Sequence, residues 1–402
     1  MNISLNMLTN LGIMILAGIF MGRLMKHLGF PNVTGYILAG LLLGPYLLPM
    51  LGSPVSILSE GFVNGISVIT EVALGLIAFS VGGQLHYSSL KKAGRALIVL
   101  ALAESVLAAV FVSIAFLLMG NEPGMALIMG PIAAATAPAA TILVVQQYRA
   151  RGPVTTLLLQ VVALDDVTAL LLYSVSAAVI KHLGAEGKQI VSAVLKEVLR
   201  FAQGAAMGLL LAIVMLFVLR FFRRKGNRMA IITGFLFLGI GIAQRMGLNS
   251  LIVCMIMGVA VANLSVEADA ILGATEPIAS PVFILFFVAS GAGLPIHLLK
   301  TVGVTGLVYI LARYAGKIVG TMLGGALTGI DKRQCIYLGP CLLPQAGIAI
   351  GLTLAAGSVL PEYASNIKAI VLTGTLICEL IGPAVTKLSL KKAGEIRISP
   401  SP

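Results

Sequence analysis

Two adjacent carboxylates lie in the middle of a long apolar run, LQVVALDDVTALLLYS, which begins at residue 159. Asp165 follows Arg151 by about 14 residues, which is roughly 20 Å along a helix that rises about 1.5 Å per residue. That depth is near the centre of a hydrocarbon core about 30 Å thick, where an ionised carboxylate is costly. A proton or cation site facing a water-filled cavity would explain the pair, and two structural polar residues are the alternative. Because consecutive helical residues point about 100° apart, we expect Asp165 and Asp166 to have different roles.

Two basic residues occupy a second apolar run, ILARYAGKIVGTMLGG, which begins at residue 310. Arg313 and Lys317 are four residues apart, so a helix places them on one face. Buried cations need anions. The candidate anions within apolar segments are Asp165, Asp166 and Glu379. Arg313 could form a purely structural ion pair with Glu379, and Glu104 is an alternative partner for Arg313.

Two apolar segments are each interrupted by proline near the middle. They read GPIAAATAPAATI at residues 130–142 and GPCLLPQAGIAIG at residues 339–351. Proline removes a backbone donor, and in a membrane the freed carbonyls are tolerated where the backbone lines a cavity. We therefore predict two broken helices whose breaks cross, with the crossing formed by Ala137, Pro138, Pro344 and Gln345. The hydroxyl of Thr136 is a candidate cation ligand at the first break.

The composition places these residues in a membrane. Of 402 residues, 58% are hydrophobic and 10% are charged, whereas soluble domains average about 25% charged residues. Apolar segments of about 20 residues predict an all-α polytopic membrane protein with about thirteen transmembrane helices. The predicted spans are 5–24, 32–50, 63–85, 96–119, 124–147, 153–180, 198–221, 229–245, 247–264, 275–296, 301–326, 333–357 and 365–388.

The basic residues predict an orientation. With the N-terminus outside, most of the 27 Lys and Arg residues fall in loops on the inner side, as the positive-inside rule requires. The C-terminus is then cytoplasmic. This topology accounts for the formal charge of +12, so we predict no nucleic-acid partner. The four cysteines form no CxxC pair, and we expect neither disulfides, a metal site nor a cofactor.

The order of the spans suggests an internal repeat. The first interrupted helix is the fifth of six spans, and the second is the fifth of the last six, with the seventh span between the two halves. Six spans, a linker and six spans give the halves opposite topology. Interrupted helices at matching places in two inverted six-helix repeats are typical of a transporter's substrate site.

Several of these motifs carry a family resemblance through essentially the whole chain. The opening LMKHLGFPNVTGYILAGLLLGP at 24–45, the TAPAAT break, the ALDD pair, RYAGK and ICELIGP resemble the cation:proton antiporter-2 family, of the Asp-Asp type. The resemblance implies a sodium/proton antiporter fold, an elevator mechanism and a homodimer. It assigns the cation to Asp166 and pairs Asp165 with Lys317. An Asp rather than an Asn at the first position of the pair implies electrogenic exchange.

The resemblance also implies a division of the chain into a dimer domain and a moving core domain. The dimer domain comprises residues 1–90 and 227–298. The core comprises residues 91–185 and 299–402, the latter ending in a short cytosolic tail, and residues 186–226 form the linker helix.

These observations and the resemblance predict an integral protein of a prokaryotic inner or cell membrane that exchanges a monovalent cation for protons, with Na⁺ as the first candidate before Li⁺ or K⁺. A K⁺/H⁺ antiporter of the same family and a cation-coupled symporter of a small organic anion are the alternatives; Arg313 and Lys317 could bind a carboxylate. A channel is disfavoured because a buried lysine would repel cations. An intramembrane aspartyl protease is disfavoured because its two aspartates must converge from separate elements.

Overall fold

A computed structural model describes residues 6–28, 30, 32–50, 52, 56–83, 85, 87–181, 187–293, 298–345 and 347–396. The predicted boundary between the core and the linker, at 185–186, and the last six residues of the predicted tail lie outside these ranges. Within them the chain forms helices joined by short connections and no β-strand. The predicted fold class, an all-α polytopic membrane protein, is confirmed.

The helices follow one another in simple order. The first half contains α1 (Met7–His27), α2 (Asn32–Leu43), α3 (Leu47–Met50), α4 (Glu60–Gly65), α5 (Ser67–Gly82), α6 (Tyr87–Leu118), α7 (Pro123–Ala134), α8 (Pro138–Gln147) and α9 (Pro153–Lys181). The second half contains α10 (Gly187–Leu219), α11 (Lys225–Arg245), α12 (Ser250–Leu264), α13 (Ala268–Gly273), α14 (Glu276–Ala292), α15 (Leu298–Thr328), α16 (Lys332–Cys341), α17 (Gly347–Val359) and α18 (Ala364–Lys392). A 3₁₀ turn, Pro361–Tyr363, precedes α18.

Eight helical segments in the described ranges are long and apolar enough to cross a membrane. Shorter apolar helices of 10–17 residues account for most of the other predicted spans. The exact count of thirteen spans and the inverted-repeat layout stay predictions.

Both proline-containing spans are divided into two helices. Helix α7 ends at Ala134 and α8 begins at Pro138, and the linking residue Ala137 is extended, with φ −80° and ψ 100°. Proline in the first turn of α8 is favourable because that position has no helical acceptor for an N–H. The second break lies between α16 and α17. The N–H of Ala137 donates to the carbonyl of Pro344 over 2.9 Å, so the two breaks meet.

Two long helices bend near their beginnings. Helix α6 starts at Tyr87, earlier than the span predicted at 96–119, and continues through a kink at Gly94, whose φ is 62°. Helix α15 has a similar kink at Gly303, with φ 39°. Glycine has no Cβ and adopts such positive φ values at little steric cost, so each kink joins an entry segment to the long apolar helix.

The most extensive helix packing is between α6 and α15. A stripe of glycines on α15 makes the close approach possible. A Cβ at Gly316 would collide with the backbone of Ala108, and a Cβ at Gly320 would collide with the Cα of Glu104. Small residues four apart allow two membrane helices to approach closely. This packing fixes the register that brings Lys317 to Glu104.

The apolar side chains divide into separate clusters. One cluster draws mainly on α6, α7, α9, α15, α17 and α18. A second joins α5 to α10, α11 and α12, and a third packs α1 and α2 against α14. A further cluster packs α8 and α18 against α2, α5 and α14. The helices that carry the buried charges therefore share one core and also contact the other helices through α8 and α18.

Candidate functional site

Asp165 lies at the centre of a polar cluster that has no exposure to solvent. Its Oδ1 accepts a hydrogen bond from Ser105, and its Oδ2 accepts one from Thr136. The ammonium of Lys317 also reaches Oδ2, at 2.6 Å. The donors come from α6, from the first helix break and from α15. An ionised carboxylate at full burial requires such donors, and all three are present.

Lys317 contacts a second carboxylate that sequence reasoning assigned elsewhere. Its Nζ lies 2.6 Å from Oε2 of Glu104, and all three charged side chains are 0% exposed. Ser105 lies between the two acids, with its Oγ 3.1 Å from Oε1 of Glu104. The sequence offered Glu104 as a partner of Arg313, and that pairing is not formed. The ammonium instead bridges Glu104 and Asp165.

The hydroxyl groups of Ser105 and Thr168 link α6 to α9 beside Asp165. The Oγ of Ser105 and the Oγ1 of Thr168 are 2.7 Å apart, and Thr168 also donates to the backbone carbonyl of Asp165 over 2.9 Å. Thr168 lies one turn after Asp165 on α9, where its hydroxyl can bond to a carbonyl three residues back. Sequence reasoning missed Ser105. The only available signal was its place beside Glu104 in the apolar run of α6.

Asp166 differs from Asp165 in its surroundings. Its side chain is 4% exposed, and its Oδ1 has no hydrogen-bond partner among the described residues. The two aspartates share one helix but point in different directions, as the 100° step between neighbours requires. A buried carboxylate oxygen without a donor calls for a proton or a cation.

The guanidinium of Arg313 binds backbone carbonyls at both helix breaks. It donates to Leu343 over 2.8 Å, to Ala135 over 2.9 Å and to Leu342 over 3.2 Å, and it lies 3.4 Å from the carbonyl of Pro344. These acceptors exist because each break frees carbonyls that a continuous helix would use. Arg313 is 0% exposed and thus ties the two breaks together.

Arg313 does not form the ion pair with Glu379 that the sequence left open. No atom pair of the two side chains lies within the 4 Å of an ion pair, and the oxygens of Glu379 have no hydrogen-bond partner in the described ranges. The two terminal nitrogens of the guanidinium donate to backbone carbonyls instead, and its Nε has no hydrogen-bond partner in the described ranges.

Gln345 joins the crossing to its surroundings. Its Nε2 donates to the carbonyl of Ile132 over 2.9 Å and to the hydroxyl of Tyr309 over 2.8 Å. Helix α18 packs onto the same break, since a Cβ at Gly382 would lie 2.9 Å from atoms of Pro344. The predicted crossing residues Ala137, Pro344 and Gln345 are therefore brought together, with Pro138 beginning the helix beside them.

A cavity of about 570 Å³ lies between α8 and the helices α2, α5 and α14. The predicted topology puts it on the cytoplasmic side. Two acidic residues, Asp269 and Glu276, line it. Its other lining residues include Tyr36, Ser80, Gln146 and Phe283. The cavity separates the helix after the first break from elements of the predicted dimer domain.

The cysteines and the metal-ligand types form no further centre in the described ranges. All four cysteines are free and buried, and no three His, Cys, Asp or Glu side chains there come together as ligands would.

Comparison with known proteins decides the family. Residues 12–392 match the model of the family described as "Sodium/hydrogen exchanger, transmembrane". The chain belongs to this family. It is therefore a multi-pass membrane protein whose relatives are sodium/proton antiporters rather than enzymes. The match covers nearly the whole chain, including both breaks and all the buried charges described above.

Two individual proteins are similar over most of their length. The Na(+)/H(+)-K(+) antiporter GerN of Bacillus cereus is 23% identical over 369 residues, which is 89% of this chain and 90% of GerN. The solved structure of the sodium proton antiporter MjNhaP1 from Methanocaldococcus jannaschii, at pH 8, superposes with a TM-score of 0.73 and 17% identity. That superposition covers 96% of this chain and 95% of MjNhaP1, and it shows a common fold.

Proposed function

We propose that this chain exchanges a monovalent cation for protons, with Na⁺ as the first candidate and Li⁺ or K⁺ as the others. The observation that carries the proposal is the unpartnered oxygen of Asp166, buried beside a fully paired Asp165. Asp165 is held in its ionised form by hydrogen-bond donors, whereas an oxygen of Asp166 is free to take a proton or a cation. Such a pair can accept a proton or a cation at the same place but not both.

The site supplies oxygens for a bare cation on one side of the first helix break. In the proton-loaded state Asp166 carries a proton and Lys317 neutralises Asp165. In the cation-loaded state the ion meets the carboxylate of Asp166, an oxygen of Asp165 and the hydroxyl oxygen of Thr136. That hydroxyl donates to Asp165 and keeps its lone pairs for a cation. Alkali cations prefer such hard oxygen ligands, and cation binding expels the proton.

The assignment to the Asp-Asp type of the cation:proton antiporter-2 family is part of the proposal. It rests on the ALDD sequence and on the contact of 2.6 Å between Lys317 and Asp165. We infer electrogenic exchange from the aspartate, rather than asparagine, at the first position. Two protons then leave the site per cation, one from Asp166 and one from the cluster of Lys317, Glu104 and Asp165. The roles are Asp166 for the cation, Asp165 with Lys317 for the charge pair, and Arg313 for the crossing.

We further propose an elevator motion of a core domain, residues 91–185 and 299–402, against a dimer domain, residues 1–90 and 227–298. The linker comprises residues 186–226. The apolar cluster built mainly from α6, α7, α9, α15, α17 and α18 supports this division. Helices α8 and α18 also meet α2, α5 and α14 in a further apolar cluster, which lies at the boundary of the two proposed domains. The dimer domain would form a homodimer in the bilayer of a prokaryotic inner or cell membrane, with the N-terminus outside and the C-terminus cytoplasmic.

Potassium is the first alternative to sodium because GerN is named as a Na(+)/H(+)-K(+) antiporter. The residues at the site are compatible with either ion, since carboxylate and hydroxyl oxygens bind both. Selection between them depends on the size of the opened site.

The proposal is tested with purified protein in liposomes that contain a pH-sensitive dye and carry an imposed proton gradient. Sodium, lithium, potassium or choline is added in turn, with the membrane potential free or clamped. We expect proton movement with an alkali cation but not with choline, a rate that depends on voltage, and its loss in Asp166→Asn. The exposed Glu362 provides the matched control Glu362→Gln, which should behave as the wild type.

If folded protein in well-sealed liposomes shows no cation-dependent proton movement, antiport is refuted. Uptake of a small organic anion driven by a cation gradient would then support the symporter. Full activity in Asp166→Asn would refute the role of the open carboxylate while leaving antiport itself in place.

A further inference from the structure

The ammonium of Lys317 has two carboxylate partners where the proposed exchange mechanism uses one. The Nζ lies 2.6 Å from both Oε2 of Glu104 and Oδ2 of Asp165, and no side chain of the three is exposed. Glu104 is on α6, Asp165 on α9 and Lys317 on α15. Two carboxylates thus contact one fixed positive charge, and a third, that of Asp166, follows Asp165 on α9.

Cation binding requires Asp165 to release Lys317 at least in part. The Oδ2 atom of Asp165 accepts from both Lys317 and Thr136, and its Oδ1 accepts from Ser105. Because its two oxygens move together, a carboxylate that turns toward a cation beside Asp166 lengthens its contacts with these donors. A fully buried ammonium left without an anion would be strongly unfavourable.

We propose that Glu104 is the partner that holds Lys317 when the transported cation displaces the ammonium from Asp165. This inference rests on the proposed function. The ammonium passes from a position shared by two carboxylates to one carboxylate without leaving its pocket. Because Glu104 is already in contact, the exchange of partners requires no movement of α6 relative to α15.

Two features of the structure keep Glu104 available. The glycine stripe of α15 lets Gly320 pack directly on the backbone of Glu104, which fixes the height of the carboxylate relative to Lys317. Ser105 lies against both acids and has a single hydroxyl hydrogen, which can serve only one of them at a time. When Asp165 turns away, that hydrogen is free to serve Glu104.

Glu104 is accordingly a positioning residue that acts on the cation through Lys317. In Glu104→Gln the ammonium has Asp165 as its one anion and holds it more tightly. The site also loses one negative charge. Both effects weaken cation binding, so we expect the KM for the cation to rise about tenfold or more, as for the loss of a charged hydrogen bond. We expect the maximal rate to change much less.

The experiment measures cation-dependent proton flux in liposomes for the wild type, Glu104→Gln, Glu104→Asp and the exposed control Glu362→Gln. The aspartate side chain is one methylene shorter and lengthens the contact with Lys317, so we expect a graded rise in KM, largest for Gln and intermediate for Asp. A purely structural role would lower the amount of folded protein and leave the KM of the folded fraction unchanged, and that result would overturn the inference.

The two proposals fail separately. Absence of cation-dependent flux in the wild type would refute the proposed function. Normal wild-type flux with an unchanged KM in Glu104→Gln would refute only the role of Glu104. If Glu104→Gln does not fold, Glu104→Asp decides alone: a KM that equals that of the control overturns the inference.

Discussion

Replacement of Arg313 by lysine should test whether one side chain holds both helix breaks. The guanidinium donates to three carbonyls within 3.2 Å, two at the second break and one, that of Ala135, at the first. Lysine keeps the positive charge, but its side chain is shorter and ends in a compact ammonium instead of a planar group with five N–H donors. We expect Lys at this position to serve one of the three carbonyls and to leave two without a donor.

The magnitude follows from those two lost bonds. A hydrogen bond to a charged group contributes about 1.5–3 kcal/mol, so Arg313→Lys should cost about 3–6 kcal/mol. The unfolding entropy is about 2.1 cal/mol/K per residue. For a chain of 402 residues, each kcal/mol of lost stability therefore lowers the melting temperature by about 1.2 °C. The melting temperature should therefore fall by about 4–7 °C. Helices that persist in detergent lower the unfolding entropy and make the shift larger.

The assay is thermal unfolding of the purified protein in detergent, followed by intrinsic fluorescence or by loss of the monodisperse peak. The matched control is Arg245→Lys, because Arg245 is exposed at the end of α11. We expect the control to unfold with the wild type. A shift in Arg313→Lys no larger than that of the control would refute the conclusion that the guanidinium holds the crossing together.

Two further substitutions test how the helices around the site are held. Glu395 accepts hydrogen bonds from two backbone N–H groups and a threonine hydroxyl at the start of α9. Glu395→Gln should therefore lower the free energy of unfolding by about 0.5–2 kcal/mol, as the loss of an N-cap does. Thermal unfolding compared with Glu362→Gln checks this, and equal melting temperatures would contradict it. The added methyl group in Gly320→Ala should clash with α6, abolish flux and lower the stability of the fold. Gly234 has open space at its Cβ position, so Gly234→Ala should leave flux and stability near the wild-type values. Normal flux in Gly320→Ala would contradict the packing argument.

The helix breaks could be predicted from the sequence because their cause is local. A proline inside an apolar run removes a backbone donor, and the matching places of Pro138 and Pro344 in the two halves indicated two interrupted spans. A proline alone is a weaker signal, since Pro131 and Pro383 lie inside undivided helices. The depth of Asp165 in the membrane was inferred in the same way, from its distance to the nearest basic residue, and stays a prediction. These inferences needed no knowledge of which helices are neighbours.

The charge pairs depend on helix register and could not be predicted in the same way. The contact of Glu104 with Lys317 exists because glycines let α15 approach α6 at one height, and nothing near Glu104 in the sequence indicates that height. The interpretation of Arg313 failed for another reason. It considered only carboxylates as partners, whereas the breaks provide carbonyl acceptors that a planar guanidinium satisfies better.

The early start of α6 has a similar explanation. The apolar pattern begins after Gly94, so the prediction began the span at residue 96. The helix extends back to Tyr87 because Gly94, at a positive φ, joins an entry helix to the membrane span. A hydropathy pattern cannot show a helix that continues through a polar segment.

The central claim is that a proton and a cation compete for Asp166. The most direct measurement is equilibrium binding of the radioactive cation that drives flux, to purified protein, over a series of pH values. Because each ion displaces at least the proton on Asp166, we predict that the apparent affinity falls tenfold or more for each pH unit of acidification within the competing range. We also predict that Asp166→Asn binds no cation at any pH. An affinity that stays constant across pH in folded protein, or normal binding to Asp166→Asn, would contradict the account.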